Sequence, residues 1–235
     1  MLTILQSAAT FTLNSPESLA VLQDVASTST TPASPVQTAE FIREVGLKCI
    51  SFNGIPRSIN CLNSFRASLP QDVASRLETR PSRELSPEDL PAAKVRGRAL
   101  WDSVYRPFEE KLLAKLGESH PDLPVHILGS HYAPLLSDPD AEGRGGLQGT
   151  GRVLTSLVAI ACLRSQTGVG PQVLSHVFGL RKAIEDGTYK IKGHGAEGAE
   201  WLATDEGSEW ILETVDTISK ALGGGNFARD PQAKL

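Results

Sequence analysis

One histidine in this sequence has the residue type and the surroundings for acid–base chemistry. His176 lies among apolar residues, early in a helix that we predict to begin at Pro171. An imidazole titrates near neutral pH and can pass a proton in either direction. We therefore predict that His176 is a general acid or base beside a crevice between helices. The alternative is a structural histidine that hydrogen-bonds to a nearby carbonyl.

Two polar residues could hold a substrate. Arg57 and Asn60 share part of a predicted helix that follows the turn Gly54-Ile55-Pro56. Arg57 lies near the N-terminus of that helix, where backbone N–H groups favour an anion. Together they could bind a substrate carboxylate. Equally, they could cap a neighbouring helix or face a partner subunit.

The thiols and one lysine offer other chemistry. Cys49, Cys61 and Cys162 form no Cys-x-x-Cys pair, which argues against a disulfide-stapled domain and a structural zinc site. Cys49 and Cys61 could approach each other across the Gly54 corner as a peroxide-responsive pair, or both could be small buried residues. Cys162 is predicted in the core. Lys48 would suit a base or Schiff-base role if buried, but we expect it to snorkel to solvent.

Composition and charge exclude several partners. The 235 residues are 40% hydrophobic and carry a net charge of −4, without the basic stripe that nucleic-acid binding requires. No apolar run reaches the roughly 20 residues that span a bilayer. The first residues lack a basic flank, so they are a poor secretory signal. His126 and His131 are not spaced as two metal ligands on one helical face. We predict no metal and no cofactor.

The last residues predict a location. Ala233-Lys234-Leu235 is a close variant of the Ser-Lys-Leu peroxisomal address. The glycines at 223–225 suit a flexible tail that presents it. We therefore expect the peroxisomal matrix and an import receptor as a partner. The alternative is a chance ending on a cytoplasmic protein.

The elements that would position these residues are predicted to be helices, with little or no β-structure. Ser34-Pro35 followed by Gln37 is a helix start with a capping box. Asn53-Gly54 ends that helix and Pro56 opens the next. Pro107 and Pro134 should break or bend later helices. No consistent period-two alternation appears, so the fold class is all-α.

The predicted units divide the chain as follows. Residues 1–70 form an N-terminal helical unit that ends in a helix-turn-helix, and 71–91 form a connector. Residues 92–222 form a second helical unit whose core is the helix pair 152–187. Residues 223–235 are the tail. We expect one compact domain overall.

Two segments share a pattern with a known superfamily. Residues 40–60 run from Glu40 through Lys48 and Cys49 to the Gly54-Ile55-Pro56 turn. In residues 154–187, a buried helix turns through a short loop into a helix that bears His176. These segments resemble the closing and core helix pairs of the alkyl-hydroperoxidase D and carboxymuconolactone decarboxylase superfamily, and residues 97–105 fit its approach helix. The resemblance implies a helical bundle of two related helix-pair units.

The resemblance also implies where substrate would bind and which reactions are lost. It places His131 and Tyr132 beside the core pair, where they could line the crevice of His176. The two redox cysteines of the hydroperoxidase branch are replaced by Val169 and Gln172, and Thr155 stands near the place of an acidic residue. Because a valine and a glutamine cannot form thiolates, that peroxidase chemistry is not expected.

Three functions follow as hypotheses. The first is a non-redox, decarboxylase-like enzyme in which His176 acts on a small carboxylated or lactone-like molecule, held by Arg57, Asn60, His131 or Tyr132. The second is a non-catalytic helical scaffold that forms homo-oligomers through aromatics such as Trp101, Tyr105 and Trp210. The third is a hydroperoxide reductase that uses Cys49 and Cys61.

Overall fold

Every regular element in the part of the chain that the structure describes is a helix, which confirms the all-α prediction. The computed structural model describes residues 1–28, 34–140, 145–193 and 198–224. Its helices are α1 (Leu2–Leu13), α2 (Pro16–Ser27), α3 (Pro35–Lys48), α4 (Ile50–Asn53), α5 (Ile55–Ser68), α6 (Gln71–Ala74), α7 (Asp89–Tyr105), α8 (Glu109–Ser119), α9 (Asp122–His126), the π-helix Ile127–Leu136, α10 (Gly151–Arg164), α11 (Gly170–Glu185), the 3₁₀ helix Thr188–Gly193, α12 (Ala199–Leu202) and α13 (Asp205–Ala221).

The centre of the core is α1, which the sequence patterns did not predict as a helix. Its buried positions include Ile4, Leu5 and Phe11 together with small residues such as Ala8 and Ala9. Small side chains let neighbouring helices approach closely, and α1 packs against α2, α3 and α5 on one side and α10 and α13 on the other. The two predicted units therefore share one hydrophobic core.

The first corner forms as its residues predict. The side chain of Ser34 accepts the N–H of Gln37 while the Gln37 side chain accepts the N–H of Ser34, so the capping box that begins α3 is present. Gly54 has a φ of 77°, a conformation that glycine adopts without the steric cost of a Cβ. Pro56 then lies at the start of α5.

The second corner, between α10 and α11, lies against the first. The Nε2 amide of Gln166 donates to the carbonyl of Phe52 at 3.1 Å and to Oδ1 of Asn53 at 3.2 Å. It also donates to the carbonyl of Cys162 at 2.9 Å. One amide group thus ties the end of α4 to the end of α10, and the two predicted corners are neighbours in space.

A π-helix carries His131 and Tyr132 and accommodates Pro134. The Ser137 N–H bonds to the carbonyl of Tyr132, five residues back. The π-helix packs along α7, where a Cβ on Gly97 would lie 2.5 Å from the Ala133 backbone. Only a glycine at position 97 allows this approach. The bend that Pro134 predicted is therefore a change of helix type.

Lys48 does not snorkel to solvent: its side chain is fully buried. Its Nζ donates to Oδ1 of Asp138 at 2.6 Å, to the carbonyl of Leu136 at 2.6 Å and to Oγ1 of Thr155 at 3.1 Å. Glu44 lies 3.8 Å away and also binds Arg83. The expectation of a solvated lysine was wrong because this network satisfies all three ammonium hydrogens.

All three cysteines are free and buried. The Sγ of Cys49 lies 3.4 Å from the Sγ of Cys162, whereas Cys61 donates to Oδ1 of Asn14 at 3.8 Å. Burial raises the pKa of Cys49 well above its usual value and that of Cys61 to about 11. The neighbour of Cys49 is therefore Cys162 rather than Cys61, and the core position predicted for Cys162 is confirmed.

Other features that the sequence singled out are found as follows. Among the described helices, none has the length and apolar character to cross a bilayer. Within the same residues, no cluster of three or more His, Cys, Asp or Glu side chains is placed to hold a metal. Trp101 is 2% exposed, which corrects its assignment as a surface aromatic. Ala233, Lys234 and Leu235 lie outside the described residues.

Candidate functional site

A cavity of about 760 Å³ opens where the two corners meet α7, α8 and the π-helix. Its volume lies in the range typical of small-molecule sites. The titratable residues in its lining are His126, His131, His176, Tyr105, Tyr132 and Lys115, and most of the other lining residues are apolar, among them Phe52, Trp101, Leu112, Leu116, Ile127 and Leu136.

His176 is buried in the wall of this cavity without a hydrogen bond. The residue is 6% exposed, and its Nδ1 has no partner in the described part of the chain. The rings of Phe52 and Tyr105 meet the imidazole edge-on, with centroids at 5.9 Å and 6.1 Å. Burial, reinforced by the charge of Arg152, lowers the pKa of His176 to about 3. The imidazole is therefore neutral at physiological pH.

Arg152 is the cation whose charge contributes to the lowered pKa of His176. Its Nε donates to Oγ of Ser103 at 2.6 Å, its Nη2 to the carbonyls of Gly179 at 2.8 Å and Ser103 at 3.2 Å, and its Nη1 to the hydroxyl of Ser156. Within the described ranges, no carboxylate lies at ion-pair distance from its guanidinium. Burial lowers the pKa of Arg152 to about 10, so it stays charged.

A narrow gap separates Arg152 from the open cavity. Arg152, Thr155, Tyr132 and His176 line a space of about 10 Å³. A volume of this size holds at most one water molecule. Arg152 therefore acts on the cavity through its electric field, which in a water-poor interior is only weakly screened.

Two tyrosines form the polar part of the wall. The hydroxyl of Tyr132 donates to the hydroxyl of Tyr105 at 3.2 Å. Burial raises the pKa of both phenols, while Arg152 opposes that rise. Both hydroxyls therefore stay protonated. Because Tyr105 accepts from Tyr132, its own hydroxyl hydrogen is not used in that bond.

His131 also lines the cavity. Its Nδ1 is 3.1 Å from Oγ of Ser51, and its ring centroid is 5.1 Å from that of His126. Burial, followed by the neighbouring His126, lowers the pKa of His131. The structure thus brings His131, Tyr132 and His176 to one cavity, as the resemblance implied.

Arg57 and Asn60 are not part of this cavity. Asn60 is exposed and its amide donates to Oδ1 of Asn14 at 3.4 Å, while Arg57 lies on the same turn of α5. The pair does not line the cavity that holds His176, so the structure does not bring these two predicted substrate-binding residues together with the histidine.

The two residues that the resemblance aligns with redox cysteines lie at the site. Val169 and Gln172 line the cavity with His176, and neither can supply a thiolate. Thr155 lines the narrow gap, where its hydroxyl contacts Lys48 and, at 2.7 Å, the hydroxyl of Thr150.

Sequence patterns missed Arg152, Tyr105 and Phe52 as site residues. Arg152 had one available signal, since it is a charge at the first turn of the most apolar helix. Tyr105 was noticed only as an aromatic, because its place beside His176 depends on how α7 packs on α11. That approach requires Gly179, whose Cβ would lie 2.9 Å from Cγ1 of Val104.

Comparisons with protein-family models, with curated proteins and with solved structures find no match to this chain. What the protein does must therefore follow from the chemistry of its own side chains.

Proposed function

We propose that this chain is a non-redox enzyme that takes a small carboxylated or lactone-like molecule into the His176 cavity and uses His176 to move a proton. The observation that carries the proposal is the Nδ1 of His176, a buried polar atom that has no hydrogen-bond partner among the described residues and lies in the wall of an open cavity. A buried polar group without a hydrogen bond costs free energy, and a ligand that hydrogen-bonds to it would recover that cost.

The charges around the cavity favour an anionic substrate. Arg152 supplies a buried positive charge that no described carboxylate neutralises. A carboxylate in the cavity would be attracted by this charge. It would also stabilise a protonated imidazole and so raise the pKa of His176 from about 3. The histidine thus becomes an effective base only when substrate is bound.

The tyrosine pair completes the proposed chemistry. When neutral His176 accepts a proton from a carbon next to a carbonyl, the C–H electron pair moves onto the carbonyl oxygen. The hydroxyl hydrogen of Tyr105, which its bond with Tyr132 does not use, would then donate to that developing negative charge. His176 then returns the proton to carbon. His131 and Tyr132 would hold the substrate in this orientation.

Two other functions receive less support. A hydroperoxide reductase would need a reactive thiolate, but Cys49 and Cys61 are buried and burial raises the pKa of both. A non-catalytic scaffold would fit a crevice closed by large side chains around His176, whereas this cavity is open. Kinship with the decarboxylase superfamily, homo-oligomerisation and peroxisomal import remain predictions.

The test is a proton-exchange assay that does not require the natural substrate. The protein is incubated in D₂O with a panel of carboxylated lactones and oxo acids, and deuterium incorporation next to the carbonyl is followed by proton NMR. We expect exchange with at least one compound, and loss of about 10²-fold or more of its rate in His176→Asn.

His120→Asn is the matched control. His120 is exposed and its Nδ1 accepts the N–H of Asp122, a cap that asparagine can also provide. This variant should exchange like the wild type. Equal exchange rates in the wild type and in folded His176→Asn would rule out the proposed role of His176.

A further inference from the structure

A second cavity continues from the His176 cavity along the outside of α8 and α11. It has a volume of about 750 Å³, and the two cavities share the wall residues Tyr105, Leu112, Lys115 and Ser175. We call this second cavity the outer groove. Because they share these residues, the two cavities lie directly beside each other.

The outer groove combines exposed aromatic surface with positive charge. Phe108 is 65% exposed and Phe178 is 51% exposed, which is unusual for such large apolar side chains. The basic residues on its wall are Arg106, Lys111, Lys115, Arg181 and Lys182, against the single acidic residue Glu185.

Three of these cations have no partner within the described structure. Arg181 binds Asp205 and the carbonyl of Ala203, and Lys182 donates to the carbonyls that end α7. By contrast, Arg106, Lys111 and Lys115 form no ion pair with a described residue. Lys111 and Lys115 are one turn apart on α8, so their ammonium groups lie on the same face.

We infer that the outer groove and the His176 cavity together bind one amphipathic anion. Its head group contacts Lys111 and Lys115, and its apolar chain runs over Phe108 and Phe178, past Tyr105, to the apolar wall around Trp101. The inference goes beyond the proposed function, because the head group of this ligand lies in the outer groove and its hydrocarbon chain occupies the cavity in which a substrate of His176 would bind. Charge complementarity selects an anionic head, and the apolar lining selects a hydrocarbon body.

The experiment uses a fatty acid with bromine on its terminal carbon, ω-bromoundecanoate, because bromine quenches tryptophan fluorescence on contact. The chain contains three tryptophans. In a Trp201→Phe, Trp210→Phe background, the remaining emission is that of Trp101 in the cavity wall. We expect saturable quenching, and affinity for unbrominated acids that rises up to about fourfold with each methylene from octanoate to dodecanoate.

Lys111→Gln with Lys115→Gln tests the head-group site. Both lysines are exposed, so this variant should fold normally and lose about tenfold in affinity for the acid at low salt. The neutral alcohol ω-bromoundecanol should bind more weakly to the parent protein and be unaffected by the substitutions. The control variant Lys94→Gln with Lys220→Gln removes the same charge elsewhere on the surface. It should not change the affinity for either ligand.

The outcomes separate this inference from the proposed function. Equal binding of acid and alcohol, or no quenching of Trp101, overturns the inference while deuterium exchange can still succeed. Acid binding that depends on Lys111 and Lys115, without any exchange, keeps the inference and ends the enzymatic proposal. If Phe108→Asp instead dissolves a dimer seen by sedimentation and leaves acid binding unchanged, the groove is a self-association surface and the inference fails.

Discussion

In the described part of the chain, Lys48 and Arg152 are cations that lie at α10 away from solvent, and their surroundings differ. Lys48 reaches α10 from α3 and lies between the carboxylates of Asp138 and Glu44. Arg152 belongs to α10, and its described partners are hydroxyl and carbonyl oxygens without formal charge. Carboxylates inside the protein neutralise the charge of Lys48, whereas the described partners of Arg152 are neutral hydrogen-bond acceptors.

The difference separates a structural charge from one that favours a ligand. A neutralised cation joins elements, as Lys48 joins α3 to the loop before α10, where Asp138 also accepts the N–H of Gly151 at 2.7 Å. A cation without a counter-ion leaves a positive field, and here that field extends to His176 and the open cavity. Four predictions, in order of decreasing effect, test this contrast.

Replacement of Lys48 should cause the largest loss of stability. In Lys48→Met, Asp138 loses an ammonium partner at 2.6 Å and Glu44 loses one at 3.8 Å. Breaking a buried pair on one side costs about 3–5 kcal/mol. Urea unfolding should show this loss. The double variant Lys48→Met, Asp138→Asn should recover part of it, and a loss below about 1 kcal/mol in the single variant would contradict the buried network.

The second prediction concerns the pH dependence of stability. The pKa of His176 is lowered from 6.5 to about 3 in the folded protein. Below pH 6.5 the unfolded chain binds a proton at this histidine that the folded chain excludes. The contribution of His176 to the free energy of unfolding is therefore complete above pH 6.5 and is lost as pH falls towards 3. On lowering the pH from 7 to 5, this histidine should reduce the free energy of unfolding by about 2 kcal/mol.

His176→Asn should lack this contribution. Glu40 and Glu44, whose pKa values burial raises, have the opposite dependence on pH, but they are present in both proteins and cancel in the difference. Urea unfolding of both proteins across this range measures that difference. If the two proteins lose stability in parallel from pH 7 to pH 5, His176 is not a buried neutral imidazole.

Local signals predicted most helix ends, since these depend on neighbouring residues. The capping box at Ser34, the turn at Gly54 and the start at Pro171 all lie where the sequence indicates. The helix α1 was missed because its buried surface surrounds it, so no amphipathic period marks it. The π-helix was missed because its form depends on the packing of Gly97 against Ala133.

The sequence identified the histidine of the site by its residue type, but it did not reveal the partners of the buried charges. His176 was singled out because imidazole suits proton transfer, and its helix was identified from Pro171. The partners of Arg152 come from α7, α10 and α11, so they share no local pattern. Lys48 shows the same limit, since its partners Asp138 and Thr155 are 90 and 107 residues away in sequence.

The third prediction removes the unneutralised charge. Arg152→Met should cost roughly 1–2 kcal/mol, less than Lys48→Met, because the acceptors it leaves are neutral and include helix carbonyls. Loss of the positive charge should also raise the pKa of His176, which the NMR titration of its ring carbons can follow. A loss of stability as large as that of Lys48→Met would show that the two cations play the same structural role.

The smallest effect is expected at the other end of α10, where a charge pair is exposed. Arg164 binds Asp216 of α13 through two bonds of 2.7 Å and 2.6 Å, but the side chains are 42% and 51% exposed. Water competes for both groups, so Arg164→Gln should cost less than about 1 kcal/mol, and added salt should shrink that cost further. Urea unfolding at low and high salt measures both values. Arg164 and Arg152 lie on one helix, so their effects can be compared directly. If Arg164→Gln lowers the free energy of unfolding more than Arg152→Met does, burial does not determine how much a charge contributes to stability in this protein.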